Sequence, residues 1–201
     1  MSDSTIIRHF IREYLVEVCG GLDADVEEII QTAELAHLHD TRRSSGAPAI
    51  THPEAVAKIV NKYYAGRNDL CFAAYLHDAK EDIEKSGNMS QDELESMIRG
   101  AIHDHEQGEN VLSLIAALTH DKTKFSYDEY FSSILNNDDA LIIKLADMLH
   151  NLIDEPTTGQ ALKYKGVVDQ LRKKPDPINS SHWAALNQAL NKALGQNEDV
   201  E

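Results

Sequence analysis

Apolar residues return at helical spacing along most of the chain. Ile6, Ile7, Phe10, Ile11, Tyr14, Leu15 and Val18 recur every three or four positions and stop at Gly20-Gly21, which predicts an amphipathic first helix closed by glycine. A second helix is expected to begin near Asp23 and to carry Val26, Ile29, Ile30, Ala33 and Ala36. The string RRSSGAPA, residues 42–49, is dense in turn formers and reads as a loop. It feeds T-H-P-E, where Thr51 and Glu54 have capping-box spacing and put His52 on a first helical turn. Ser90/Glu93 and Ser126/Glu129 repeat that spacing ahead of two further helices. Residues 140–153 predict a largely buried helix stopped by Pro156. After Pro175 and Pro177 a last helix is expected from Ser180 or Ser181, with Trp183, Leu186, Leu190 and Leu194 on one face and an acidic tail behind it.

No segment alternates in strand fashion and no internal repeat is present, so the pattern predicts an all-α helical bundle. A length of 201 residues with 42% hydrophobic content suits one domain over 1–201. Its core is expected over about 22–175, with a packing helix at about 180–195.

Charge and cysteine content narrow the function. Lys plus Arg number 19 against 34 for Asp plus Glu, a balance of −15 that argues against a nucleic-acid or anionic-membrane partner. A small anionic substrate would need a local basic pocket. Cys19 and Cys71 are far apart and sit in apolar helical patterns, so neither a disulfide framework nor a cysteine metal site is expected. The N-terminal residues mix charge with apolar positions, unlike a signal peptide, and no run is apolar enough to span a bilayer. A cytoplasmic location is the expectation; the sequence leaves the oligomeric state open.

The segment AAYLHDAKED carries the first candidate chemistry. Read as one helix, it sets His77 beside Glu81 and Asp78 beside Asp82, because residues four apart share a face. So much negative charge on one patch is costly without a cation, and a mixed imidazole and carboxylate set suits Mn²⁺, Fe²⁺ or Zn²⁺ better than Mg²⁺. Two more candidates stand out: His52 at its helix start, and Asp147, a carboxylate inside the otherwise apolar IIKLADMLHN.

Three blocks in order, RRSSGAPAITHP, LHDAKED and IKLADMLHN, resemble the hydrolase domain of Rel/SpoT-type alarmone enzymes of the HD superfamily, over about 36–153. The resemblance implies an HD-domain helical bundle. It also implies one divalent metal, usually manganese, held by His52, His77, Asp78 and Asp147, with Glu81 and Asp82 acting on the attacking water. Arg43 matches the family's phosphate-binding arginine and Asn151 a residue of its nucleotide pocket. Lys144 and His150 lie three residues from Asp147 on the same face, placed either to contact phosphate or to orient a ligand. The departures concern the substrate: Ala49 replaces a tyrosine, Ser44 a basic residue, and Met148 and Ile153 arginines.

The other histidines read as structural. His120-Asp121 is expected at an exposed helix end, His103 and His105 on a polar surface, and His37 and His39 near the arginine loop, as hydrogen-bonding partners rather than ligands. The function implied by the resemblance is removal of the 3′-diphosphate of (p)ppGpp, or of an adenine analogue, with release of pyrophosphate. A chain of this size leaves no room for a synthetase domain, so a hydrolase acting alone is expected. The alternatives are a broader nucleotide or NADPH phosphatase on the same centre, and a non-catalytic metal-dependent nucleotide sensor.

Overall fold

A computed structural model of the chain describes residues 15–16, 25–37, 41, 46–172 and 178–195. Most of the expected first helix lies outside these residues; Leu15 and Val16 are helical and Leu15 is buried. Cys19 and His39 also lie outside them, and Cys71 is a buried free thiol whose pKa burial pushes up to about 12.

Ten helices make up the described chain: α1 Val26–Ala36, α2 Thr51–Tyr63, α3 Asn68–Tyr75, α4 Ala79–Ser86, α5 Gln91–Ala101, α6 His105–Leu118, α7 Tyr127–Ile134, α8 Asp138–Ile153, α9 Thr158–Leu171 and α10 Ser180–Ala193. Among the described residues the only extended pairing between two named residues is an isolated antiparallel bridge between Thr41 and Pro48. The all-α expectation is met.

Local chemistry explains most helix starts. Asp25 caps α1 by accepting from the amides of Glu27 and Glu28. Complete capping boxes open α5 at Ser90/Glu93 and α7 at Ser126/Glu129, as their spacing predicts. The expected box at Thr51/Glu54 does not form. Thr51 is already the first helical residue, and its hydroxyl donates to the Pro48 carbonyl at 2.7 Å while the His52 amide reaches Ala49 O at 3.0 Å. A tight turn after the proline, rather than a side-chain cap, therefore puts His52 on the first turn. α9, which the sequence reading did not name, buries Ala161, Tyr164, Val168 and Leu171 at helical spacing; Thr157 caps it.

α8 is the central element. Ten of its sixteen residues are buried, more than one face can supply, so it is packed around most of its circumference. α2, α3, α6, α7 and α10 pack on it, and α2 and α3 pack closely on each other. α3 buries Leu70 through Tyr75 without a break. The N-terminus of α2, the C-terminus of α3 and the middle of α8 therefore meet in the interior, where unpaired polar groups are costly.

Candidate metal centre

The HD dipeptide is not on one continuous helix, as the sequence reading supposed. α3 ends at Tyr75, Leu76 to Asp78 form a turn, and α4 starts at Ala79 with Asp78 in the cap position. The physical reason lies in His77. Its Nδ1 donates at 2.8 Å to the carbonyl of Ala74, one of the groups that a helix end leaves without an amide partner. Local capping by the imidazole thus ends the helix and aims the rest of the ring inward.

That bond fixes the proton on Nδ1 and leaves Nε2 as a lone pair. His77 Nε2 is buried and makes no hydrogen bond, although Asp78 Oδ1 is 3.2 Å away. A lone pair facing a carboxylate needs a cation between them or a proton shared by them. His52 completes the group: its ring centroid is 5.2 Å from that of His77, and its Nε2 is 3.6 Å from Asp78 Oδ2. One ligand atom from each of His52, His77 and Asp78 lies within 4.8 Å of the others, so the three could hold a single metal ion.

Asp147 adjoins this trio without being one of its close-packed ligand atoms. Its Oδ1 is 3.0 Å from His52 Nε2 and also accepts from the Asn151 amide, and its Oδ2 accepts from Lys144 Nζ at 2.8 Å. Burial raises the Asp147 pKa, but the Lys144 charge and the His52 hydrogen bond outweigh it and hold the carboxyl well below its usual range. Lys144 is correspondingly held well above its usual value: burial opposes the charge, and Asp147 overrules it. Asn151, Lys144 and Asp147 lie three or four residues apart on α8, on one face.

The two proposed acid/base residues have separate surroundings. Asp82 is buried; Oδ2 accepts from His37 Nδ1 at 2.7 Å, and Oδ1 is held by Lys85. Burial raises its pKa, and His37 and Lys85 together lower it below the ordinary value. His37 is therefore the structural partner near the site that the sequence suggested. Glu81 accepts from the His120 amide and from Lys122 Nζ, each at 3.2 Å. His120 follows a helix end as expected, but it is not merely exposed: its ring stacks on Tyr130 with centroids 4.6 Å apart, and Nε2 meets the Phe125 carbonyl at 2.8 Å. His103 and His105 are exposed, as read.

Basic groups flank the carboxylates. Lys163 Nζ sits 3.3 Å over the Tyr127 ring, and its pKa is lowered by burial and by the neighbouring charges of Lys144 and Lys122. The charges of Lys144, Asp147, Lys122 and Glu81 all act on Lys163, which puts these groups in one neighbourhood. Sequence reasoning missed Lys163 and Lys122: Lys163 is on the unread helix α9, and Lys122 sits in a polar loop like any solvated lysine. Arg43 and Ser44 lie outside the described residues. Ala49 is half-buried, and Met148 has no exposed surface to offer a ligand. Ile153 is 65% exposed and lines a cleft of about 1000 Å³ with Tyr63, Lys62 and Lys192, apart from the metal trio.

No family model matches the chain. In sequence it is 30% identical over 121 residues to a probable guanosine-3′,5′-bis(diphosphate) 3′-pyrophosphohydrolase of Synechocystis, a stretch covering 55% of this chain and 14% of that protein. It is 28% identical over 111 residues to the enzyme of that name in Haemophilus influenzae, covering 55% and 16%, and 33% identical over 135 residues to a GTP pyrophosphokinase of Streptomyces coelicolor, covering 63% and 14%. The matched region is thus about one-seventh of the length of these relatives. In structure the chain is similar to a metazoan ortholog of SpoT described as hydrolysing ppGpp and acting in starvation responses. The TM-score is 0.62 at 24% identity, over 85% of this chain and 96% of that one. The resemblance to Rel/SpoT-type enzymes carried by the three sequence blocks is met, and the fold is that of the SpoT ortholog.

Proposed function

We propose that this chain is a metal-dependent phosphohydrolase that removes the 3′-diphosphate of (p)ppGpp, or of a closely related purine nucleotide, and releases pyrophosphate. The observation that carries the metal dependence is the His77 ring, whose Nδ1 proton is committed to a backbone carbonyl and whose buried Nε2 lone pair faces a carboxylate. His52, His77 and Asp78 would hold the ion, and Asp147, whose Oδ1 lies 3.0 Å from His52 Nε2, is the proposed fourth ligand. Two imidazoles with two carboxylates fit manganese, iron(II) or zinc, and manganese is the ion proposed. When bound, such an ion supplies Lewis-acid polarisation of a phosphate oxygen and lowers the pKa of a water.

The remaining roles belong to the chain's own groups. Glu81, held among the described residues by the His120 amide and the exposed Lys122, is placed to accept a proton from water and return it to the leaving oxygen. Asp82 has both oxygens occupied and a lowered pKa, which makes it a weak base; it fixes α4 against His37 and so supports Glu81 from behind. Lys122, Lys144 and Lys163 offset the charge of the entering phosphates, Asn151 orients Asp147, and Arg43 is the proposed phosphate clamp. The sequence similarity to proteins named as 3′-pyrophosphohydrolases supports the choice of substrate.

Product analysis tests this reading. Manganese-loaded protein is incubated separately with ppGpp, pppGpp, ppApp, NADPH and 5′-mononucleotides, and the products are resolved by anion exchange. Pyrophosphate from a purine 3′-diphosphate is the expected product. Inorganic phosphate alone, from NADPH or the mononucleotides, replaces the proposal with a general phosphatase, and binding of ppGpp without turnover replaces it with a nucleotide sensor.

A further inference from the structure

His52 and His150 meet ring to ring. Their Nδ1 atoms are 2.8 Å apart, their centroids 4.9 Å apart and their planes inclined by 47°. Each neutral imidazole carries one proton, so at this contact one Nδ1 donates and the other accepts. The opposite nitrogen of His52, Nε2, is 3.0 Å from Asp147 Oδ1 and 3.6 Å from Asp78 Oδ2, both acceptors. Two arrangements satisfy the contact between the rings; the first also satisfies that of His52 Nε2 with Asp147, and the second calls for a cation there. In one, His150 donates from Nδ1 to His52, which carries its own proton on Nε2 and gives it to Asp147. In the other, His52 carries its proton on Nδ1 and donates it to His150, whose proton is then on Nε2. The two rings hold two protons in either arrangement, and only the second leaves His52 Nε2 with a lone pair among the carboxylates.

We propose that His150 is a positioning residue that selects the ligating tautomer of His52 by accepting its Nδ1 proton. The proposal rests on the metal reading above. It explains a difference between the two imidazole ligands: His77 is held by the Ala74 carbonyl, which no substitution removes, whereas His52 is held by a side chain, which a single substitution removes. His150 lies three residues beyond Asp147 on α8, so one helical turn brings both a carboxylate ligand and the partner of an imidazole ligand.

The test compares His150→Phe, which keeps a ring but has no acceptor, with His150→Asn, whose Oδ1 replaces the accepting nitrogen. Manganese affinity is measured by calorimetric titration, and thermal melts check folding. His150→Phe is expected to bind manganese about 10- to 100-fold more weakly and His150→Asn within about threefold of wild type. Nitrogen NMR of histidine-labelled wild type loaded with zinc is expected to show the proton of His52 on Nδ1 and that of His150 on Nε2. This readout does not depend on either variant folding. The opposite tautomers, or a folded His150→Phe that binds manganese as tightly as wild type, overturn the positioning role. Wild type that binds neither ion overturns the metal reading itself, so the two failures are distinct.

Discussion

His77 and His182 are both buried imidazoles, and comparing their surroundings shows what turns such a ring into a site. His182 of α10 stacks on Tyr63 with centroids 5.0 Å apart and planes within 8°, and its Nδ1 meets the Tyr64 hydroxyl at 3.1 Å. Its neighbours are aromatic, and burial lowers its pKa to about 4. The ring stays neutral and pins α10 to α2. His77 is as deeply buried, but its free nitrogen faces Asp78 beside His52 and close to the Asp147 network. Burial among rings makes a histidine a packing element. Burial beside carboxylates suits it to the proposed cation site.

The largest expected effect breaks the second cluster. His77→Ala or Asp78→Ala should remove bound metal and lower the turnover of ppGpp by roughly 10³-fold or more, since each takes away a proposed metal ligand. Metal analysis and rate measurement on the same preparation check it; full metal retention in both variants refutes the ligand assignment. Glu81→Gln comes next and should keep the metal while slowing turnover by about 10²- to 10⁴-fold. Asp82→Asn should slow it less and cost roughly 2 kcal/mol of stability in denaturant melts, because Lys85 and His37 lose the anion between them. Equal rate losses for both variants, with no stability change in Asp82→Asn, would remove the division of labour between them.

The first cluster is sharpened by pH. His182 titrates near 4 when folded and near 6.5 when unfolded, so the unfolded chain binds the extra proton between those values. Stability is therefore fully supported above pH 6.5 and lost as pH falls toward 4, by up to about 3 kcal/mol from this group. In His182→Gln that part of the acid dependence should vanish; an unchanged pH slope in chemical melts would contradict the neutral lock. The smallest effect lies outside both clusters. Ser126→Ala removes the cap of α7 and should cost about 1 kcal/mol without altering metal binding.

Legibility followed the range of the physics. Capping boxes at Ser90 and Ser126 and the buried run of α8 depend on neighbours within one or two turns, and the sequence pattern located them. The break at Leu76 to Asp78 was missed because His77 bonds a carbonyl that is visible only once α3 has ended. At Thr51 the residue types suited a cap, but the turn from Pro48 starts the helix first. The candidate ligands were legible as a pattern of residue types, since carboxylates and imidazoles in apolar helices carry an obvious cost. The sequence suggested that His37 and His150 support the site, but not their partners Asp82 and His52, which are far away in the chain; Lys163 over Tyr127 left no local signal.

The direct test of the contrast between the two histidine clusters is elemental analysis of untagged protein after reconstitution with manganese and removal of excess ion. The account predicts close to one ion per chain in wild type, close to one in His182→Gln, and none in His77→Ala. Two ions per chain, none in wild type, or full occupancy in His77→Ala would contradict it.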